Sequence, residues 1–165
     1  MKSRWFSLGA AALTVTDQVA KCYAENKLDL NEEKEVTDKI VVRHVHNKGA
    51  CLSLLEDEPE AVTVLSTLSV GLVLSWQIIT LTKKGQFLKK LGLSLMSAGA
   101  ISNTFDRFVR GYVVDYIGFR CKNKELSGIT YNLADFFLAA GAVIVVITTT
   151  IQSLIKAIKK KAIRN

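Results

Sequence analysis

Apolar and polar positions alternate along this chain in blocks, and four blocks are long and apolar: about Trp5 to Tyr23, Ala61 to Thr82, Leu91 to Phe108 and Leu133 to Ile155. Each approaches the roughly 20 residues a helix needs to cross a bilayer. The pattern predicts an all-α membrane protein, a four-transmembrane-helix bundle in a single domain over residues 1–165. The opening MKSRWFSLGAAALTV has the basic and apolar regions of a signal peptide, but no convincing small-residue cleavage site follows. It runs on through Asp17 and Lys21 and is read as an uncleaved first span. Between the spans, KIVVRHVHN is a β-branched run with partial alternation, and GYVVDYIGF and GITYN are strand-like. These predict a small extracytoplasmic β-sheet. Glu56-Asp57-Glu58-Pro59-Glu60 suits a helix start, with proline in the first turn and acids at the positive dipole end. The third block is rich in small residues such as Gly92, Ser97, Gly99 and Ser102, which lets membrane helices approach closely.

Apolar residues make up 49% of the chain although 22% are charged, so the charges must be segregated. Three basic clusters each lie against an apolar block: Lys2 and Arg4; Lys83, Lys84, Lys89 and Lys90; and Lys156, Lys159, Lys160, Lys161 and Arg164. The stretch from Glu25 to Glu60 instead mixes five basic residues with ten acidic ones. This is positive-inside asymmetry, which places both termini in the cytoplasm. It also accounts for the net charge of +7 without a nucleic-acid partner. Cys22, Cys51 and Cys121 show no C-x-x-C spacing and no histidine at metal-ligand distance, which argues against a zinc site. Their odd number leaves at least one thiol unpaired and leaves a Cys51–Cys121 disulfide open.

Ionisable groups at membrane depth cost about 2.5–3.5 kcal/mol each on insertion scales and call for a reason. Asp17 and Lys21 are four apart in the favourable order for an ion pair, so mutual neutralisation accounts for them. Asn132 and Asp135 fit an N-cap followed by an acid in the first turn. Asn103, Asp106 and Arg107 share a helix face and suit a hydrogen-bonded ion-pair cluster. His44 and His46 share a strand face and read as solvated imidazoles. Asp115 is different, because it interrupts an apolar run with neither a cap nor an adjacent base in view. If Asp115 and Asp135 meet at one membrane boundary, they share a proton and can act as base and acid towards a water.

Five segments in order then resemble lipoprotein signal peptidase, the signal peptidase II family: TDQVAK, NKGACLS, GAISNTFDR, GYVVDYI and YNLADFFLAAG. The resemblance implies an aspartic endopeptidase with a catalytic pair at Asp115 and Asp135. Asn47, Asn103, Arg107 and Asn132 line its site, and Asp17 and Lys21 support it. Its substrate is a bacterial prolipoprotein carrying a diacylglyceryl group, its setting the bacterial cytoplasmic membrane and its lipid, with the site on the extracytoplasmic face. It needs no metal or organic cofactor. The chain departs from the family at Ala20, Cys51, Leu52 and Ser102. Two rivals remain: a small transport or proton-relay protein, and a catalytically silent relative. Polar groups gathered at the outer edge weigh against the first, and retention of both aspartates against the second.

Overall fold

The structure is a computed structural model and describes residues 3–50 and 54–164. Four long helices dominate it: α1 (Arg4–Lys27), α2 (Pro59–Leu81), α3 (Phe87–Val109) and α5 (Leu133–Arg164). Between them come β1 (Glu33–Thr37), β2 (Ile40–Asn47), β3 (Val113–Phe119), the short α4 (Lys124–Gly128) and β4 (Thr130–Tyr131). The strands form one antiparallel sheet in the order β1-β2-β3-β4. Three of them fall where the β-branched runs predicted. β1 has no such signature, since all five of its side chains are exposed and it is held by pairing with β2 and by the Glu33–Arg43 and Glu35–Arg120 ion pairs.

α2 starts at Pro59, as the acidic turn predicted. α3 starts earlier than the apolar block, so Lys89 and Lys90 are helical, and Lys90 Nζ reaches back to the Lys83 carbonyl oxygen at 2.6 Å. α5 continues through the C-terminal lysines to Arg164, because lysine sustains a helix as well as most residues do. At the other end of α3, Gly111 takes φ +79° and its N–H donates to the Arg107 carbonyl oxygen, closing the helix and turning the chain into β3.

Ser3 Oγ donates to the Leu81 carbonyl oxygen, and Phe6 packs edge-on against Phe87. The starts of α1 and α3 therefore meet the end of α2 at one pole, and the sheet lies at the other. α3 and α5 pack almost backbone to backbone. A Cβ on Gly99 would collide with the Ala134 carbonyl oxygen, and one on Gly92 would come within 2.9 Å of the Gly141 carbonyl oxygen. This contact brings the end of α3 beside the start of α5.

By length and composition, α2 and α5 are apolar enough to cross a membrane, and little of either is buried within the protein. α1 and α3 carry charged residues, yet both also turn large apolar side chains outward, among them Val15, Val19, Phe105 and Phe108. Apolar exposure on this scale is unusual for a soluble monomer.

Candidate active site

Asp115 lies in the middle of β3 opposite Val45, and Asn132 directly precedes α5. Asp115 is buried, and its two carboxylate oxygens accept from Asn47 Nδ2 at 3.0 Å and Asn132 Nδ2 at 2.6 Å. Asp135 accepts from Asn103 Nδ2 at 2.9 Å and, with its other oxygen, from the Asn132 backbone N–H at 3.0 Å. The Asp135 N–H donates in turn to Asn132 Oδ1 at 3.0 Å. The predicted cap is thus present as a reciprocal box. It does not exhaust Asp135, whose second oxygen faces Asn103.

All four donors to the two carboxylates are neutral amides. Burial, and then the nearby Asp135 charge, push the Asp115 carboxyl up to about 7, against the opposing effect of its amide donors. Lys21 and Arg107 act on these acids from a distance, but among the described residues neither acid has an ion pair, and two neighbouring acids so placed favour holding one proton between them.

Both aspartates line a cavity of about 720 Å³ between α2, α3 and α5, closed at one end by the sheet. Its walls are mainly apolar, including Val62, Leu65, Met96, Leu138 and Ala142. Its polar end carries Asn47, Asn103, Arg107, Asp115 and Asp135. Arg107 Nη2 donates to the Gly49 carbonyl oxygen at 2.9 Å and Nη1 to that of Asn103 at 3.2 Å, while its buried Nε has no partner among the described residues. Arg107 therefore ties the end of β2 to α3 and makes no ion pair with Asp106, contrary to the cluster expected from their shared helix face.

Asp106 turns the other way, into a buried network with α1. Lys21 Nζ lies 2.9 Å from both Asp17 and Asp106 and donates to Asn103 Oδ1 at 2.7 Å. Arg110, which stood out in no motif, pairs with Asp106 and with Glu25. Asp17 also accepts from Ser102 Oγ at 2.6 Å and from the Tyr116 hydroxyl at 3.0 Å. That hydroxyl accepts from the Leu133 N–H at 3.2 Å. Asp17 and Lys21 are thus fully buried and outside the cavity, but Lys21 touches the amide that reaches Asp135. The unusual Ser102 belongs to this network, and Ala20 packs beside Ala24, Val114 and Tyr116. Cys51 and Leu52 lie outside the described residues, and with them the Cys51–Cys121 pairing.

The two histidines also differ from expectation. His44 is buried rather than solvated, because its Nδ1 faces the Leu28 carbonyl oxygen at 3.0 Å where the chain leaves α1.

Fold and site together define a class: a helical membrane protein with two amide-held carboxylates at the polar end of an apolar cavity. The sequence profile of the family described as Signal peptidase (SPase) II matches residues 9–151. A lipoprotein signal peptidase of Psychromonas ingrahamii is 31% identical over 160 residues, covering 95% of this chain and 90% of its own. Another, of Allorhizobium ampelinum, is 33% identical over 131 residues, covering 79% and 78%. A bacterial membrane enzyme structure determined by the in meso method at 2.3 Å superposes with a TM-score of 0.76 at 21% identity, over 92% of this chain and 88% of that one, so the fold is shared. The chain belongs to the signal peptidase II family. It is a membrane peptidase of lipoprotein processing.

Proposed function

We propose that this chain is an aspartic endopeptidase that removes the signal peptide from diacylglyceryl-modified prolipoproteins. The observation that carries the reading is the pair Asp115 and Asp135, which line one cavity and, among the described residues, are hydrogen-bonded by amides. One carboxylate, ionised, takes a proton from water as the water attacks the carbonyl carbon before the modified cysteine. The other, protonated, donates a hydrogen bond to that carbonyl oxygen and then protonates the leaving nitrogen. The dyad titrates as a unit, so its members are not assigned separately. Asn47, Asn103 and Asn132 hold the carboxylates, and the unpartnered Arg107 Nε is a donor for substrate backbone. The apolar walls suit acyl chains. Asp17 and Lys21 act through Asn103.

In this reading the chain is one domain with four spans, α1, α2, α3 and α5, in the bacterial inner membrane. Both termini are cytoplasmic, and the sheet and dyad lie at the extracytoplasmic face. The exposed apolar faces of all four helices support the count, and the basic residues gathered at the pole opposite the sheet support the orientation. With native cysteines replaced by serine, a cysteine at position 33 should react with an impermeant thiol reagent added outside cells, and one at position 86 should not. The reverse pattern overturns the orientation. A transport or relay role gains nothing here, because Asp17, Lys21 and Asp106 are sealed by packing rather than strung along a cavity. Cleavage of a synthetic diacylated prolipoprotein by the purified protein, and its loss in Asp115→Asn, test the activity. Inactivity of the well-folded wild-type chain would instead support a silent relative.

A further inference from the structure

On the outer side of the sheet, away from the cavity, three potential ligands converge: Glu25 in the last turns of α1, and His44 and His46 on β2. Their ligand atoms all lie within 4.8 Å of one another. The two imidazoles meet at 71°, with His46 Nε2 3.1 Å from His44 Nε2. Two Zn–N bonds of about 2.0–2.1 Å at roughly 100° hold their nitrogens about that far apart.

Each ligand is already held from behind. His44 Nδ1 faces the Leu28 carbonyl oxygen, which selects the tautomer that leaves Nε2 with a free lone pair. His46 stacks on Tyr112 with ring centroids 3.6 Å apart, and the Tyr112 hydroxyl donates to Glu25 Oε1 at 3.2 Å. Arg110 Nε donates to Glu25 Oε2 at 2.9 Å. One hydrogen bond on each oxygen leaves lone pairs for a cation. Two ligands on a tetrahedral zinc ion lie about 3.3 Å apart. Glu25 then closes the site by approaching the imidazoles by up to about 1.5 Å.

We propose that Glu25, His44 and His46 form a binding site for one borderline transition-metal cation of the Zn2+ type, which pins the end of α1 to β2. The remaining coordination positions are left to water. The site lies apart from the carboxylate dyad and takes no part in the hydrolytic step. It is linked to the dyad through His46, which directly precedes Asn47, a donor to Asp115, and through Arg110, which pairs with Glu25 and with Asp106 of the Lys21 cluster.

The test uses purified full-length protein without a polyhistidine tag, stripped with chelator and titrated with Zn2+ alone. One ion per chain should bind saturably in the micromolar range and raise the Tm. His46→Gln should weaken binding at least about tenfold, by the scale of ligand-sphere losses, and abolish the Tm rise. Should His46→Gln fail to fold, Cu2+ electron paramagnetic resonance on the wild-type protein decides, with hyperfine structure from two imidazole nitrogens expected. No saturable Zn2+ binding, binding unchanged in folded His46→Gln, or a spectrum showing sulfur or no imidazole ligation would overturn the proposal. In that case the short His44–His46 contact is an N–H···N hydrogen bond and nothing more.

Discussion

Two groups of buried carboxylates lie within a few turns of each other and are treated in opposite ways. Asp17 and Asp106 are closed around Lys21, with Arg110 on the outer side of Asp106. Among the described residues, Asp115 and Asp135 accept hydrogen bonds from amides alone. Where cations neutralise the acids, the charge is locked and the group joins α1 to α3. Where amides hold them, the carboxylates stay oriented without a neutralising ion pair, the condition under which the proposed mechanism has them share a proton. The two regions are joined by single hydrogen bonds, from Lys21 to Asn103 and from Leu133 to Tyr116 and on to Asp17. In the proposed mechanism the locked cluster thereby orients the dyad.

The largest expected effect separates these roles. Asp115→Asn or Asp135→Asn should abolish cleavage, and the double variant should be scarcely worse than either alone, as for groups that act as one unit. The folding cost should stay small, though Asp135→Asn leaves one side-chain oxygen for two donors and should cost about 1 kcal/mol. Retained turnover in either well-folded variant would remove the aspartic mechanism. In the locked cluster the balance should reverse. Lys21→Met strands two buried acids and should cost about 3–5 kcal/mol, read as loss of folded protein in detergent. A stable but inactive Lys21→Met protein would instead put the lysine in the chemistry.

The α3–α5 contact sharpens the comparison from the packing side. Gly99→Ala forces a methyl against the Ala134 carbonyl oxygen, one residue from Asp135. It should cost about 1–3 kcal/mol of stability through overpacking. Cleavage by the protein that remains folded should fall as well, because Asn103 and Asp135 are pushed apart. Activity per folded molecule equal to wild type would show that the site tolerates the shift.

A further effect concerns pH. The Asp115 carboxyl lies near 7 in the folded chain, above its unfolded value near 4. The folded state therefore holds the extra proton across that window, and stability should decline as pH rises from about 4 to about 7. Asp115→Asn should flatten that decline, and cleavage by the wild-type enzyme should fall off on the basic side of about pH 7. An identical stability slope in both proteins would mean that Asp115 is not the group titrating.

The four helices and three of the four strands were legible because burial and lipid exposure impose a period on side chains, and the strands KIVVRHVHN and GYVVDYIGF carry it. β1 was not, since a strand with every side chain in solvent leaves no such record. The helix ends were also misjudged wherever polar residues continued the helix, as at Lys89 and Lys90 and beyond Ile155. At the site, the family motifs brought out Asp115, Asp135 and their asparagines. Which acid meets which cation depended on contacts spanning most of the chain.

By itself, the sequence determined the apolar segments, the polarity of the loops and the residue types available for chemistry, because these follow from local composition and spacing. Only the tertiary structure decided that Asp106 turns to Lys21 while Arg107 turns to Gly49. It alone brought Glu25 to the two histidines, and it alone left the dyad, among the described residues, hydrogen-bonded by amides and without an ion pair. Neighbours on one helix face can point to different partners, and a carboxylate's protonation depends on what surrounds it in space, which a linear order of residues does not contain.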